Sequence, residues 1–215
     1  MVVDLVEEKA RMLQEHLAAR GINNDQVLAA FASVPREEFV PIRYRDLSYV
    51  DMPLEIGEGQ TISQPYTVAF MTQLLDPQPK DIVLEVGTGS GYQAAILAKL
   101  VKKVYTIERL ENLAEEAQKV LKKLSFNNVE VVVGDGSKGL PEKAPFAGII
   151  ITAAAPEIPR PLLEQLGVGG RLVVPVGSGF SQDMIKITKT KKGLEKETHP
   201  GFRFVPLVGE HGFKE

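Results

Sequence analysis

Residues 82–91 run Ile82-Val83-Leu84-Glu85-Val86-Gly87-Thr88-Gly89-Ser90-Gly91. An apolar stretch with an acid near its end passes into three glycines that alternate with small residues. Such a turn lets main chain approach a bound nucleotide, and its spacing discriminates between cofactors. A dinucleotide fingerprint reads G-x-G-x-x-G; here the third glycine falls one residue early and Tyr92 holds the sixth position. The loop of Gly87, Thr88, Gly89 and Gly91 fits a nucleoside with an amino-acid tail, such as S-adenosylmethionine, better than a pyrophosphate. Glu85 could offset the ammonium of that tail. In open α/β sheets ligands lie beyond the carboxyl ends of the strands. After the second strand stands Glu108, 21 residues past Gly87, with Arg109 beside it; its carboxylate can accept from both hydroxyls of a ribose. After the third comes Gly134-Asp135-Gly136, where an acid between glycines can accept from the exocyclic amine of an adenine. Each segment has a plainer use: a tight strand–helix turn, a favourable charge at a helix N-terminus, a common turn dipeptide. Their recurrence at three consecutive strand ends favours a nucleoside cofactor.

After the fourth strand comes Thr152-Ala153-Ala154-Ala155-Pro156, informative for what it lacks. There is no Asn-Pro-Pro-aromatic run of the kind that methylates exocyclic amines, no histidine, and no carboxylate before Glu157. The chain has no cysteine, which excludes thiolate nucleophiles, disulfides and thiolate metal sites. His16, His199 and His211 have no metal-type partner in sequence, so no metal is expected. A methyl acceptor that needs no base is one already ionised. A carboxylate, with a reference pKa of about 3.3–4.3, is anionic at neutral pH and can attack a sulfonium methyl without proton transfer. The protein then has to position it and strip its hydration. Hydroxyl and backbone N–H groups suffice to hold it, and the small Thr152 and Ala153 would let a peptide come close. Gln60-Thr61-Ile62-Ser63-Gln64-Pro65-Tyr66 supplies a donor. Ser63 stands before a helix opening with Pro65, a favoured N-cap arrangement, and such a helix N-terminus is also an anion site.

The elements that must hold these residues follow from periodicity. Val3, Val6, Ala10, Leu13 and Leu17 share one face of a helix over 3–20, stopped by Gly21. A second helix runs from Asn24 or Asp25 to Val34, and Pro65–Leu75 is a third. Between them, residues 35–60 read as irregular, with Phe39, Tyr44 and Tyr49 as packing anchors and Gly57-Glu58-Gly59-Gln60 as a flexible loop. From Asp81 strands and helices alternate: strands at Ile82–Val86, Val104–Ile107, Val129–Val133, Ala147–Ile151 and Arg171–Val176; helices at Tyr92–Leu100, Leu110–Leu124 and Pro161–Leu166. Strands this uniformly apolar are covered on both faces. Met184–Lys189, Leu194–Thr198 and Phe202–Val205 read as shorter strands. The fold class is therefore α/β, a doubly wound, mostly parallel, Rossmann-like sheet preceded by a helical cap. All 215 residues read as one domain, 1–75 the cap with its active-site loop and 76–215 the cofactor-binding core. Net charge is −3 with no basic cluster, which argues against nucleic acid or a membrane surface as partner. The first twenty residues lack the features of a signal peptide, and the expected location is the cytoplasm.

The segments Gln60–Tyr66, Val83–Tyr92, Gly134–Gly136 and Ala153–Pro156 together resemble the protein-L-isoaspartate O-methyltransferase family, and the likeness spans nearly the whole chain through Arg203-Phe204-Val205-Pro206-Leu207. Some members carry Ala and His where this chain has Gln64 and Tyr66. The resemblance implies the class I S-adenosylmethionine-dependent methyltransferase form of that fold, S-adenosylmethionine as cofactor, S-adenosylhomocysteine as product, and isoaspartyl proteins and peptides as partners of a monomeric enzyme. The acceptor would be the free α-carboxylate of an L-isoaspartyl residue. Its ester re-forms a succinimide whose hydrolysis returns some normal aspartate. It also implies Ser63 as the active-site serine, orienting that carboxylate together with Ile62, under a loop from Ile56 to Ser63, with Thr198–Phe204 lining the peptide groove. The readings that compete are an NAD-dependent oxidoreductase and an S-adenosylmethionine-dependent methyltransferase acting on a small molecule.

Overall fold

The computed structural model describes residues 3–178 and 180–214. Helix α1 (Leu5–Arg11) opens the cap, its N-terminus closed by the Asp4 carboxylate, which accepts from the Val6 and Glu7 amides. The helix expected over 3–20 continues from α1 through a π-helical stretch, Met12–Leu17, and a 3-10 turn, Ala18–Arg20, until Gly21 stops it at φ 92°. Asn24 caps α2 (Asp25–Ser33) in the same way. Residues 35–60 are more ordered than their composition predicts. They hold two 3-10 turns, Arg36–Glu38 and Ile42–Leu47, and a hairpin in which β1 (Leu54–Gly57) pairs antiparallel with β2 (Gln60–Ile62). Gly57-Glu58-Gly59-Gln60 is thus the hairpin corner, with Gly57, Glu58 and Gly59 at positive φ. Strands of three and four residues carry too little alternation to be seen in sequence.

After α3 (Pro65–Leu75) the alternating core begins: β3 (Ile82–Val86), α4 (Tyr92–Ala98), β4 (Lys103–Glu108), α5 (Glu111–Lys123), β5 (Val129–Val133), β6 (Phe146–Ile151), α6 (Arg160–Gln165), β7 (Leu166–Gly177), β8 (Gln182–Thr190) and β9 (Gly193–Phe202). Seven of these strands form one sheet in the order β5-β4-β3-β6-β7-β8-β9. The first five are parallel and the last two antiparallel. Two expected strands, Leu194–Thr198 and the start of Phe202–Val205, are the single strand β9. Arg203–Val205 leaves the sheet, and the chain then clamps the end of β6: Ala154 N donates to Val205 O and Leu207 N to Ala154 O, both at 2.7 Å. The side chains of β9 are almost all exposed, with Glu195, Lys196 and Glu197 in a row and Pro200 near its end.

Alternation sorts the strand residues between two cores. Val83, Val104, Ile150 and Val173 face one side, where they join α3, α4 and the cap residues Met12, Phe31, Phe39 and Tyr49 in one apolar cluster, with Tyr44 packed against it. Leu84, Ile107, Ile149, Ile151 and Leu172 face the other, with Leu162 of α6 and Leu207. The cap therefore shares its core with one face of the sheet, which fixes β2 and the start of α3 relative to the strand ends. Among the described residues no helix is long and apolar enough to cross a membrane.

Candidate active site

Strand order reverses between β3 and β6: from β3 the chain builds outward through β4 and β5, from β6 outward through β7. Loops diverging at such a point leave a crevice at the carboxyl ends of the strands. A cleft lies there, about 1080 Å³ when the solvent space at its open mouth is counted. Glu85, Gly87, Thr88 and Gly89 line it from β3 and the glycine loop, Glu108 and Arg109 from β4, Gly136 from beyond β5, and Thr152 and Ala153 from beyond β6. Ile62 and Ser63 close it from the cap.

The loop is held by its neighbours. The Gly87 and Thr88 amides donate to the Ile107 carbonyl at 2.8 and 3.2 Å. Gly87 has φ 95°, and a Cβ there would run into the Thr152 hydroxyl, so this position needs glycine on both counts. Glu108 is nearly buried. Its two carboxylate oxygens accept from the Gly89 amide at 2.9 Å and the Leu110 amide at 3.1 Å, which leaves further lone pairs for a ligand.

Glu85 is fully buried, and neither of its oxygens has a hydrogen-bond partner among the described residues. Burial pushes its pKa up to about 8; the nearby Thr106 hydroxyl opposes the rise and the Glu108 charge adds to it. That hydroxyl is itself bonded to Thr88 Oγ1 at 2.7 Å. Gln93, which sequence reasoning did not single out, presents a third acceptor. The Thr72 hydroxyl donates to Val68 O at 2.7 Å and so accepts from Gln93 Nε2 at 3.0 Å. This direction fixes the amide, and Gln93 Oε1 is buried without a partner among the described residues. Buried acceptors left open are costly. Once Glu85 ionises, three such oxygens in the cleft that both residues line suit a cation with several N–H donors, such as an α-ammonium. The only signal in sequence is that Gln93 lies in the first turn after the loop.

On the acceptor side, Ser63 does not cap α3. The N-cap is Gln64 and makes no side-chain cap bond. The Tyr66 amide, the first available after Pro65, donates to Asp51 Oδ1 at 2.9 Å, and Asp51 is in turn paired with Arg20. The anion expected at this helix N-terminus is thus the protein's own. The Ser63 hydroxyl makes no hydrogen bond among the described residues, whereas its carbonyl accepts from Arg36 Nη2 at 2.9 Å. Thr152 is occupied: its hydroxyl donates toward Gly87 O at 2.6 Å and Val86 O at 3.0 Å. It shapes the wall but has no proton to offer an acceptor, so Ser63 is the open hydroxyl of the two.

Other expected site residues stand elsewhere. Gly91 does not line the cleft. It is the N-cap of α4 at φ 86°, where a Cβ would lie 3.3 Å from the Ala117 and Leu121 side chains; it lets α5 pack close. Asp135 is also absent from the lining. Its Oδ1 accepts from the Ser137 amide and hydroxyl, its Oδ2 from the Glu210 amide. These bonds hold its carboxyl below the usual range against the opposing effect of burial. The Asp135 carboxylate latches the C-terminal segment, and Gly136 is the part of that turn facing the cleft. Thr198–Phe204 does not line it either; Val205, Pro206, Leu207 and Val208 do. His199 lies on β9 with its ring edge-on to Phe70 at 5.3 Å.

Residues 7–212 match the family model described as Protein-L-isoaspartate(D-aspartate) O-methyltransferase. The chain belongs to that family. Among members of the protein-L-isoaspartate O-methyltransferase family, the protein of that name from Methanoregula boonei is 52% identical over 208 residues, covering 97% of this chain and 96% of its own. That of Staphylothermus marinus is 51% identical, covering 97% and 98%. Solved structures agree. One bearing the family name superposes with a TM-score of 0.83 at 29% identity, over 95% of this chain and 67% of its own. A second, from Plasmodium falciparum in complex with S-adenosyl-L-homocysteine, gives 0.80 at 26% identity over 94% and 98%.

Proposed function

We propose that this chain transfers the methyl group of S-adenosylmethionine to the free α-carboxylate of L-isoaspartyl residues in damaged proteins and peptides. The observation that carries this reading is the division of the cleft. Glu85 of β3 and Gln93 of α4 present unsatisfied acceptors to it; the cap presents the open Ser63 hydroxyl and, among the described residues, no histidine. Glu85 and Gln93 would accept from the cofactor's ammonium, Glu108 from its ribose hydroxyls, with Arg109 beside it, and Gly136 would lie against its adenine. When bound, the cofactor supplies an electrophilic methyl on sulfur. The protein's part is to hold an anion in line with it and keep water away. Ser63 donates to one oxygen of the acceptor carboxylate and leaves the other free to attack. Ile62 and Ala153 pack against the peptide, and no residue has to take a proton. Residues 1–75, as cap and active-site loop, thus serve the acceptor, and 76–215 form the cofactor-binding core that adds Ala153 to the acceptor side, within a single domain working as a monomer in the cytoplasm on isoaspartyl-bearing chains. Methylation of an isoaspartyl peptide and its aspartyl twin tests the assignment. The expected result is label in the first alone; equal labelling of both, or of neither, refutes it.

A further inference from the structure

Arg36 lies in the 3-10 turn Arg36–Glu38 of the cap and is fully buried. Its Nε donates to Ser48 O at 2.6 Å and its Nη2 to Ser63 O at 2.9 Å. Its Cζ sits 4.8 Å from the centroid of the Tyr92 ring. Nη1 and the Tyr92 hydroxyl are buried with no hydrogen-bond partner among the described residues. Two carbonyls and a ring surround this cation, and no carboxylate is among its hydrogen-bond partners. Burying a guanidinium on such terms costs several kcal/mol, and an apolar residue of similar volume would fill the space more cheaply. What an apolar residue could not do is join three separate pieces of chain.

The junction matters because of where those pieces lie. Ser63 links β2 to α3, and its carbonyl belongs to neither element: the first helical bond of α3 runs from Val68 N to Gln64 O. Tyr92 opens α4 directly after Gly91, lines the cleft, and is boxed edge-on by Phe31 and Phe39 at 5.9 and 5.6 Å. One rigid fork therefore spans the acceptor-side serine and the helix that continues the cofactor loop. We propose that Arg36 is a positioning residue for methyl transfer, fixing Ser63 against that helix so that acceptor and donor meet at the reacting distance. The proposal rests on the role given to Ser63 above.

Arg36→Lys keeps a cation but loses the planar fork. Turnover of an isoaspartyl peptide is measured for the parent, R36K, S63A and the R36K/S63A double variant, normalised to sites counted by S-adenosylhomocysteine calorimetry, so that partial unfolding cancels. R36K is expected to lower kcat per site by about 10–100-fold, as displacements on the order of 1 Å do. The peptide KM and the S-adenosylhomocysteine Kd should move less than about three-fold. Because Arg36 acts through Ser63, the double variant should lose less than the product of the two single losses. If R36K retains no binding sites, Arg36→Met is read in the same way. Parental turnover per site in the Arg36 variant, or losses that simply multiply, overturns the proposal while the Ser63 role stands. Parental turnover in S63A overturns that role and the proposal with it.

Discussion

Glu85→Gln isolates the most perturbed acid of the cleft. The folded protein holds the Glu85 proton to about pH 8, whereas an ordinary glutamate releases it near 4.5. Between those values the native state binds more protons than the unfolded chain, so stability is complete at the acid end and falls as pH rises. At 1.36 kcal/mol per pKa unit, the loss reaches about 3 kcal/mol by pH 7 and about 4–5 kcal/mol by pH 9. The substituted amide cannot ionise, so in urea unfolding of the cofactor-free variant the fall in stability from pH 5 to 9 should be smaller than the parent's by about 4 kcal/mol. Binding reports the same proton. An ammonium brought to Glu85 favours its ionised form, so S-adenosylhomocysteine should displace about 0.9 of a proton at pH 7 from the parent and none from the variant. Calorimetry in buffers of different ionisation enthalpy measures this. An unchanged stability slope in E85Q, together with no proton release on binding to the parent, would refute the reasoning.

Three further perturbations separate roles along the cleft. Gln93→Leu should weaken S-adenosylhomocysteine by about 5–30-fold yet leave 5′-methylthioadenosine, which has no ammonium, unaffected; equal losses for both ligands in calorimetry would make Gln93 a structural residue. Glu108→Ala should cost cofactor binding about 1–3 kcal/mol, and an unaltered dissociation constant would remove it from the site. Gly91→Ala places a side chain at φ 86° against α5. It should lower stability by about 1–3 kcal/mol while the affinity of the folded fraction for S-adenosylhomocysteine stays the same, as denaturation and calorimetry on one preparation would show.

The parts of this architecture visible in sequence are those whose signal is local. Five apolar runs, the three alternating glycines and the helix opening at Pro65 state themselves over a few residues, and they place Glu85, Glu108 and Ser63 near one edge of a sheet. What sequence hides depends on partners distant along the chain. Asp135 reads as an adenine acceptor or as part of a common turn, and neither reading foretells that the Glu210 amide, 75 residues on, donates to it. Gly91 has the spacing of a cofactor glycine, and only the approach of Ala117 and Leu121 reveals its work in packing. Arg36 in Pro35-Arg36-Glu37-Glu38 draws no notice in sequence, because nothing nearby announces that the carbonyls of Ser48 and Ser63 will accept from it. The β1–β2 hairpin escapes because its corner sets Glu58 at φ 52°, a conformation that composition does not advertise.

One of the two edge strands of the sheet, β9, bears on the company this protein keeps. Aged polypeptides that have lost part of their structure are prone to zip onto any bare row of amides and carbonyls. β9 offers such a visitor a poor template: charges of alternating sign stand along it, and Pro200 supplies no amide hydrogen. At that edge, a mender of unravelled chains can thus hold one isomerised residue in its crevice without recruiting the remainder of its client as an eighth strand.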